Sequence, residues 1–420
     1  MKLKRELGLI TTTLYGIGII LGAGVYALIG VGAGLAGNML WLAFVISSII
    51  AIFTGMSYAE LAGRFPKEAA EYTYTKKAFN REIVSYLVGW LLVVGLVGAA
   101  SAVALGFAGY FSNLFGTPIP LTAAALIVIM SLLNYIGIKE STFFNNFSSI
   151  VEAGGLILVV LIVFFFSTSG KDVDLFQMPS AGFEGIMAAV SVVFFAYIGF
   201  ENVANLAEEV KNSKRTIPMA LLLSLAISTI LYILISIAAV KEVGADALAK
   251  AEAPLTLVVS KTLGEYSVLL SLIALFATAN TVLILLITAS RILYGMSHSK
   301  SLPKFFSFVG NTGTPLYSVC IVGLVAVVIA YSGGIKTVAQ LTDLAIFIAY
   351  FAVNISLIAL PTPKTKKQFI TPRIFGIPIL AYIGAITSLI MLTYFDFGLW
   401  AIEIAVAVVG IMFFWWHKNH

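Results

Sequence analysis

Long apolar segments recur along the whole chain and are separated by short polar connections. A helix of about 20 apolar residues spans the hydrocarbon core of a bilayer, so each segment predicts a transmembrane helix. The predicted spans are 9–34, 38–63, 83–113, 120–138, 144–167, 183–207, 216–240, 265–297, 315–332, 337–359, 371–395 and 398–417. The connections between them are too short for a soluble domain. The pattern therefore predicts an all-α integral membrane protein with about twelve spans.

Lysine and arginine residues are concentrated in alternate connections. If the N-terminus is cytoplasmic, 20 of the 25 basic residues lie in inner connections and 5 lie in outer ones. Because basic residues favour cytoplasmic loops, this distribution predicts a multi-pass protein of the cell (cytoplasmic) membrane with both termini in the cytoplasm. The basic start of the chain, followed by a long apolar run, indicates no cleavable signal peptide. The net charge of +5 thus reflects topology, and no nucleic-acid partner is expected.

The composition agrees with a lipid environment. Hydrophobic residues make up 60% of the chain and charged residues 11%, with a mean hydropathy of +1.02. The single cysteine, Cys320, excludes a disulfide framework within the chain. The three histidines lack the spacing of metal ligands, and no phosphate-binding loop indicates use of ATP. We expect the lipid bilayer as a partner, no cofactor and no enzymatic activity.

Two spans carry glycines near mid-depth, where a transmembrane helix would be weakened. The first contains GIGIILGAGVYALIG, with Gly22-Ala23-Gly24 at its centre, and the sixth contains VVFFAYIGFENV, with Gly199. The glycine spacing in the first span also fits close helix packing. Open backbone at this depth is tolerated only where it lines a cavity or is buried in protein. Interrupted helices at matching positions of two halves indicate a transporter binding site, so we predict helix breaks at Gly22, Gly24 and Gly199.

Four segments of the chain resemble the amino acid–polyamine–organocation transporter superfamily. They are IILGAGVY (19–26), YAELAGRFPKEAAEYTYTKKAFN (58–80), FFAYIGFENVANLAEEVKNSKRTIPMA (194–220) and SRILYGMSHSKSLPKFF (290–306). Their order and spacing match over most of residues 1–320. Two positions depart from the family pattern: Ala69-Ala70 replaces a glycine pair, and Ala23 replaces a common serine or threonine.

The resemblance implies a five-plus-five inverted repeat. Helices 1–5 would occupy residues 9–167, helices 6–10 would occupy 183–359, and helices 11–12 would occupy 371–417. Substrate is then expected midway between broken helices 1 and 6, exposed alternately to the two sides of the membrane.

The two predicted breaks offer complementary charges to a zwitterion. Free N–H groups at the start of the outer half of helix 1 lie at a positive dipole end and fit a carboxylate. Unpaired carbonyl groups at the end of the outer half of helix 6 would suit an ammonium group. The predicted substrate-binding residues are Ile20, Ala23, Gly24, Val25, Phe194, Phe195, Ala196 and Ile198.

Phe195 and Glu201 are predicted to gate this site. Phe195 matches the position where the family has an aromatic residue that covers the substrate, with simple packing as the alternative. Glu201 follows Gly199, where a carboxylate can accept backbone N–H groups at a helix start. A charge at the bilayer centre costs about 2.5–3.5 kcal/mol and usually has a partner. Glu201 therefore either caps the helix or takes part in gating or proton-linked movement.

Glu152 is the predicted ion-coupling residue, because it is a lone acid in the apolar fifth span. Some family members have a lysine at this place, where sodium-coupled relatives of the fold hold a cation. Thr278, Asn280 and Thr281 of the eighth span offer oxygen ligands, so Glu152 could hold Na⁺. A dry site would instead favour a protonated carboxyl group, and the absence of a second acid nearby in sequence favours the proton. A helix cap near the cytoplasmic end is the third alternative.

These features predict a secondary active transporter, or permease, that moves an amino acid by alternating access with H⁺ as the coupling ion. A neutral substrate is favoured because spans three and eight carry no acid at mid-depth. A sodium-coupled symporter, an amino acid exchanger and a polyamine transporter are alternatives. A channel would need a ring of charges or a repeated filter, and neither a channel nor a receptor needs paired helix breaks. Asp343 is expected near the outer end of span ten, in contact with solvent, with a position lining the transport pathway as the alternative.

Overall fold

The structure is a computed structural model that describes residues 7–22, 24–66, 70–136, 141–167, 173–205, 210–264, 267–310, 312–363 and 369–419. The protein is 83% helical. Within the described ranges it has no β-strand, only isolated bridges such as Leu7 with Val210.

The described residues form seventeen α-helices. They are α1 (Leu9–Leu21), α2 (Gly24–Ala36), α3 (Leu40–Arg64), α4 (Ala70–Phe79), α5 (Glu82–Phe115), α6 (Ile119–Ile136), α7 (Ser141–Phe166), α8 (Gly182–Val193), α9 (Asn202–Asn205), α10 (Ser213–Val243), α11 (Ala245–Lys250), α12 (Pro254–Leu263), α13 (Ser267–His298), α14 (Leu316–Ser332), α15 (Ile335–Ala359), α16 (Ile379–Leu392) and α17 (Phe397–Asn419).

Every predicted span contains helix, which confirms the all-α membrane fold. The first span is divided into α1 and α2, and the sixth into α8, a 3₁₀ turn and α9. The other spans correspond in order to α3, α5, α6, α7, α10, α13, α14, α15, α16 and α17. Within the described part, eight helical stretches are long and apolar enough to cross a membrane, and shorter apolar helices accompany them. The connections hold α4 on one side and α11 and α12 on the other.

The eleventh span is shorter than predicted, because α16 begins at Ile379 and not at residue 371. Phe375 and Gly376 both have positive φ angles, 51° and 81°, which a right-handed helix excludes. The turn is closed by reciprocal N–H···O bonds of 3.0 and 2.9 Å between Ile374 and Ile377. This turn keeps residues 371–378 out of the helix.

Helix α5 forms the centre of the bundle. Helices α13, α15, α6 and α14 all pack against it, and most of its side chains are buried. Helices α6 and α17 lie at the periphery and expose large apolar side chains, among them Leu121, Leu132, Val408 and Met412. Apolar surface of this extent is unfavourable in water, so the outer face of the bundle fits a lipid environment.

Candidate functional site

The first helix is interrupted between α1 and α2. The last α-helical bond of α1 runs from the Gly22 N–H to the Gly18 carbonyl at 3.0 Å, and α2 begins at Gly24. Ala23, a predicted binding residue, lies outside the described residues. A Cβ atom at Gly22 would overlap the Thr281 hydroxyl group, and one at Gly24 would lie 2.6 Å from the Ala196 Cβ. Both glycines therefore permit close contacts with other helices.

The sixth helix is interrupted by a 3₁₀ turn, Phe194–Tyr197, which is followed by a turn that contains Gly199. Gly199 has a φ of +116°, which glycine adopts without the steric cost that a side chain would impose. A Cβ atom there would also overlap the side chain of Ile19 on α1. The two interrupted helices thus approach each other closely at their breaks, Gly24 with Ala196 and Gly199 with Ile19.

Tyr232 on α10 connects the two interrupted helices. Its hydroxyl group donates to the Ala196 carbonyl at 2.8 Å and also contacts the Ile20 carbonyl. The Phe195 carbonyl accepts the Ile198 N–H at 3.1 Å. The carbonyl groups of Phe195 and Ala196 are therefore not unpaired in this conformation, contrary to the expectation from the sequence. Nothing in the local pattern distinguished Tyr232, a tyrosine in an apolar helix, as part of the site.

A small cavity lies between the two interruptions. Its volume is about 20 Å³, close to the space one water molecule needs, so this conformation is closed around the site. Four predicted substrate-binding residues line it, Ile20, Gly24, Phe195 and Ile198, together with Thr281, which was predicted for ion coupling. Ala99 and Val103 of α5 also line it, and both belong to the stretch of mainly small residues at 95–106.

Three other predicted binding residues, Phe194, Val25 and Ala196, are buried but do not line this cavity. Phe194 packs against Phe347 of α15, with ring centroids 4.4 Å apart. Val25 is fully buried within the bundle, and Ala196 contacts Gly24.

Glu201 is buried beside the second interruption, with 1% of its surface exposed. Both of its carboxylate oxygens accept the Gly199 N–H, at 3.1 and 3.0 Å. Oε2 also accepts the Tyr350 hydroxyl group of α15 at 2.8 Å. The side chain therefore holds the turn at Gly199 and links it to α15. A simple helix cap, as considered from the sequence, would make only the first of these contacts.

Glu152 lies in the middle of α7 and is completely buried. Its Oε2 would be 3.4 Å from a Cβ atom at Gly22, so the carboxylate faces the first interruption. Neither oxygen has a hydrogen-bond partner among the described residues. This position, far from either end of α7, does not suit a helix cap.

The polar residues of α13 differ in their relation to Glu152. Thr281 faces the same glycine, Gly22, although its hydroxyl group donates to the Ala277 carbonyl of its own helix at 3.1 Å. The Thr278 hydroxyl group donates to the Ala274 carbonyl at 2.6 Å. Asn280 is buried. Among the described residues, no group of three or more His, Cys, Asp or Glu side chains is arranged to hold a metal ion.

A second acid is buried near the site. Asp343 of α15 is completely buried, contrary to the expectation that it contacts solvent. Its carboxylate faces the backbone N–H of Phe195, and no side chain within the described ranges hydrogen-bonds to it. The apolar pattern of α15 predicted the helix but not the face on which Asp343 lies.

A larger cavity lies on the α2 side of the first interruption. Its volume is about 410 Å³, and its walls include Tyr26, Glu252 and Tyr331. The Tyr26 hydroxyl group donates to the Glu152 carbonyl at 3.3 Å. Tyr26 therefore lies between this larger cavity, which we call the vestibule, and Glu152.

Comparison with known proteins decides the family. The family model described as "Amino acid permease" matches residues 7–414. The chain belongs to the amino acid permease family. This result confirms the resemblance to the amino acid–polyamine–organocation superfamily, and it makes the chain a multi-pass membrane transporter of a family that carries amino acids.

Individual relatives of this permease differ in their named substrates. It is 29% identical to the branched-chain amino acid permease BcaP of Bacillus subtilis, over 93% of this chain and 88% of the relative. It is 30% identical to the methylthioribose transporter of the same organism, over 100% and 95% of the two chains. It is also 30% identical to the mitochondrial cationic amino acid transporter 3 of Arabidopsis thaliana, over 82% of this chain and 60% of the relative.

Proposed function

We propose that this permease is a secondary active transporter of a neutral amino acid, coupled to protons through Glu152. The observation that carries the proposal is the position of the Glu152 carboxylate, buried against the interruption of the first helix without a hydrogen-bond partner in the described part of the chain.

The surroundings of Glu152 favour a proton over Na⁺. A buried ionised carboxylate without compensation is costly, so the closed conformation favours a bound cation or proton. Hard metal ions require several oxygen ligands. The hydroxyl oxygens of Thr278 and Thr281 keep lone pairs for a cation while they donate to their own helix, but no second carboxylate joins Glu152 in the described residues. A proton needs no such ligand set.

The vestibule offers water a route towards Glu152 from one side of the membrane, which supports proton coupling through this residue. Tyr26 lines the vestibule and bonds the backbone of Glu152, so a modest shift of α2 would bring water to the carboxylate. On the charge distribution of the loops, this vestibule faces outward, both termini are cytoplasmic, and the protein lies in the cell membrane.

The closed cavity supports a neutral substrate. Its side-chain lining is mainly apolar, with Ile20, Ala99, Val103, Ile198 and Leu285. Backbone groups of the two interruptions would bind the carboxylate and the ammonium groups, with Ala23, Gly24 and Val25 on the carboxylate side. Tyr232 would have to release the Ala196 carbonyl as the substrate ammonium binds. We further propose that residues 9–167 and 183–359 are the inverted repeats that rock around this site, with 371–417 outside the repeat.

The test uses purified transporter in lipid vesicles and a panel of labelled amino acids. Glu152→Gln mimics the protonated side chain, so substrate exchange should remain while accumulation driven by a pH gradient is lost. Glu184→Gln, at an exposed glutamate of α8, is the matched control and should retain both. Full gradient-driven accumulation by Glu152→Gln would contradict the coupling role. Accumulation by the native protein with a Na⁺ gradient, and not with a pH gradient, would identify sodium coupling.

Asp343 supports a second candidate, a cationic amino acid as substrate. An acid buried beside Phe195 with no side-chain hydrogen-bond partner in the described part could bind a basic side chain. Competition by lysine and arginine against leucine and valine would distinguish the candidates. If the basic amino acids compete better, and Asp343→Asn removes that preference, the substrate is cationic.

A further inference from the structure

Two buried glutamates lie near one end of the bundle and are linked through tyrosines. Glu71, on α4, has 1% of its surface exposed, and its Oε1 accepts the Tyr58 hydroxyl group of α3 at 3.0 Å. Glu201 accepts the Tyr350 hydroxyl group of α15 at 2.8 Å. The rings of Tyr58 and Tyr350 pack edge to face with centroids 5.8 Å apart.

Within the described part of the chain, the cluster of Glu71, Glu201, Tyr58 and Tyr350 contains two acids and no basic side chain paired with them. The titratable groups around Glu71 are Tyr58 of α3, Tyr74 of its own helix and Glu201 of the sixth span, with Tyr350 of α15 beside Glu201. The second oxygen of Glu71 and the Tyr74 hydroxyl group have no hydrogen-bond partner among the described residues.

A shared negative charge is unfavourable in this environment. Burial raises the pKa of the Glu71 carboxyl group from 4.5 to about 7, and the charge of Glu201 adds to the rise, while the Tyr58 hydroxyl group opposes it. Two carboxylates in one buried site cannot both ionise cheaply, because each charge disfavours the other. The closed conformation should therefore bind one more proton than a hydrated one.

We propose that Glu71 and Glu201 form a proton-binding pair that holds one shared proton while this side of the transporter is closed, and that loss of this proton favours opening. The pair lies on the side that the loop charges assign to the cytoplasm. This inference rests on the proposed alternating-access function, but not on proton coupling through Glu152.

The chemical step is the dissociation of one proton from the pair. Both opening of the transporter and a rise in pH favour it. One carboxyl O–H bond breaks, the proton passes to water, and the pair gains one negative charge. Helix α4 packs against α5 and α15, so separating α4 from α15 would hydrate both carboxylates. Because the hydrated form binds the proton more weakly, raising the pH must shift the population towards it.

Infrared titration of the purified full-length protein in lipid nanodiscs tests the site without any substrate. The native protein should lose carboxyl C=O absorption with a midpoint near pH 7, and Glu71→Gln should reduce the absorption that is lost there. Hydrogen exchange of segments 70–79 and 202–205, corrected for the intrinsic effect of pH, should rise several-fold in the native protein from pH 6 to pH 8. Glu71→Gln should reduce that rise, and Glu184→Gln should leave both measurements unchanged.

A second variant keeps the test informative if Glu71→Gln fails to fold. Tyr58→Phe removes a hydroxyl group that stabilises the ionised form, so the midpoint should move upward. The proposal is overturned if the loss of absorption is unchanged in Glu71→Gln, if the midpoint stays fixed in Tyr58→Phe, or if native exchange rates do not depend on pH. Loss of gradient-driven uptake in Glu152→Gln bears only on the proposed coupling, since these measurements involve neither substrate nor a gradient.

Discussion

Glu60 at the end of α3 holds the connection that precedes α16, and its removal should destabilise the protein strongly. The side chain is completely buried. Oε1 pairs with Arg64 Nε at 3.3 Å and with Arg373 Nη2 at 2.7 Å. Oε2 accepts the backbone N–H of Thr371 at 2.9 Å and its hydroxyl group at 2.7 Å. Four donors thus converge on one carboxylate.

The magnitude follows from the burial of both arginines. Their side chains are 6% and 11% exposed, so water screens little of their charge. Glu60→Gln keeps the shape of the side chain but leaves two guanidinium groups near each other without a counter-charge. Removing one partner of a buried ion pair typically costs about 3–5 kcal/mol. We expect about 3 kcal/mol, because the glutamine carbonyl can still accept one or two of the four bonds.

Thermal unfolding of the purified protein in detergent checks this value against a matched control. Glu82 pairs with Lys418 at 2.7 Å, but these side chains are 35% and 44% exposed. Surface pairs contribute at most about 1 kcal/mol, so Glu82→Gln should barely change the melting temperature. Equal melting temperatures for the two variants would refute the reasoning. A Glu60→Gln/Arg373→Gln variant should lose less stability than the sum of the single changes, since the uncompensated charge is partly removed.

Three further predictions concern the site and its surroundings. Gly24→Ala should abolish transport, because the added Cβ atom would lie 2.9 Å from the Ala196 backbone nitrogen; wild-type uptake would refute the close approach of the two interruptions. Phe195→Ala should reduce the transport rate, with smaller losses for Tyr or Trp, and unchanged uptake kinetics would leave Phe195 as packing. The raised pKa of Glu71 means that the native state keeps a proton that the unfolded state loses between pH 4.5 and about 7. The Glu71 carboxyl group should therefore lower stability by up to about 3 kcal/mol as pH rises through that window, and Glu71→Gln should show a correspondingly smaller fall in thermal unfolding.

The fold could be predicted from the sequence because the bilayer imposes a length on each apolar segment. Polar connections marked the helix ends to within a few residues in most spans, and the glycines at residues 22, 24 and 199 marked the spans that are interrupted. The exception was the eleventh span. Its first residues form a turn tied to Glu60 of α3, and a contact between segments about 310 residues apart leaves no trace in local hydropathy.

The surroundings of the site were harder to predict, because hydropathy does not show which face of a buried helix meets which neighbour. Tyr232, Ala99 and Val103 look like any other residue of an apolar span. Asp343 was taken to lie in solvent because of its position near a helix end, yet packing of α15 against the sixth span buries it. Only Glu152 and Glu201 stood out, since acids in apolar spans are rare enough to be noticed.

The contacts at the two interruptions indicate how they could move while the bundle stays intact. Helix α5 packs against α13 and α15, and α3 against α10, through long apolar surfaces. At the breaks themselves, a few polar bonds hold the segments together. The hydroxyl group of Tyr232 contacts carbonyl groups of both, and Glu201 links Gly199 to Tyr350. A hydrogen bond contributes about 0.5–1.5 kcal/mol net, and somewhat more when one partner is charged. An amino acid brings two charged groups that can replace such bonds with bonds of its own. We infer that substrate binding can release the Tyr232 tie at a cost of a few kcal/mol, whereas separating α5 from α13 would cost far more, so the rearrangement should begin at the two interruptions.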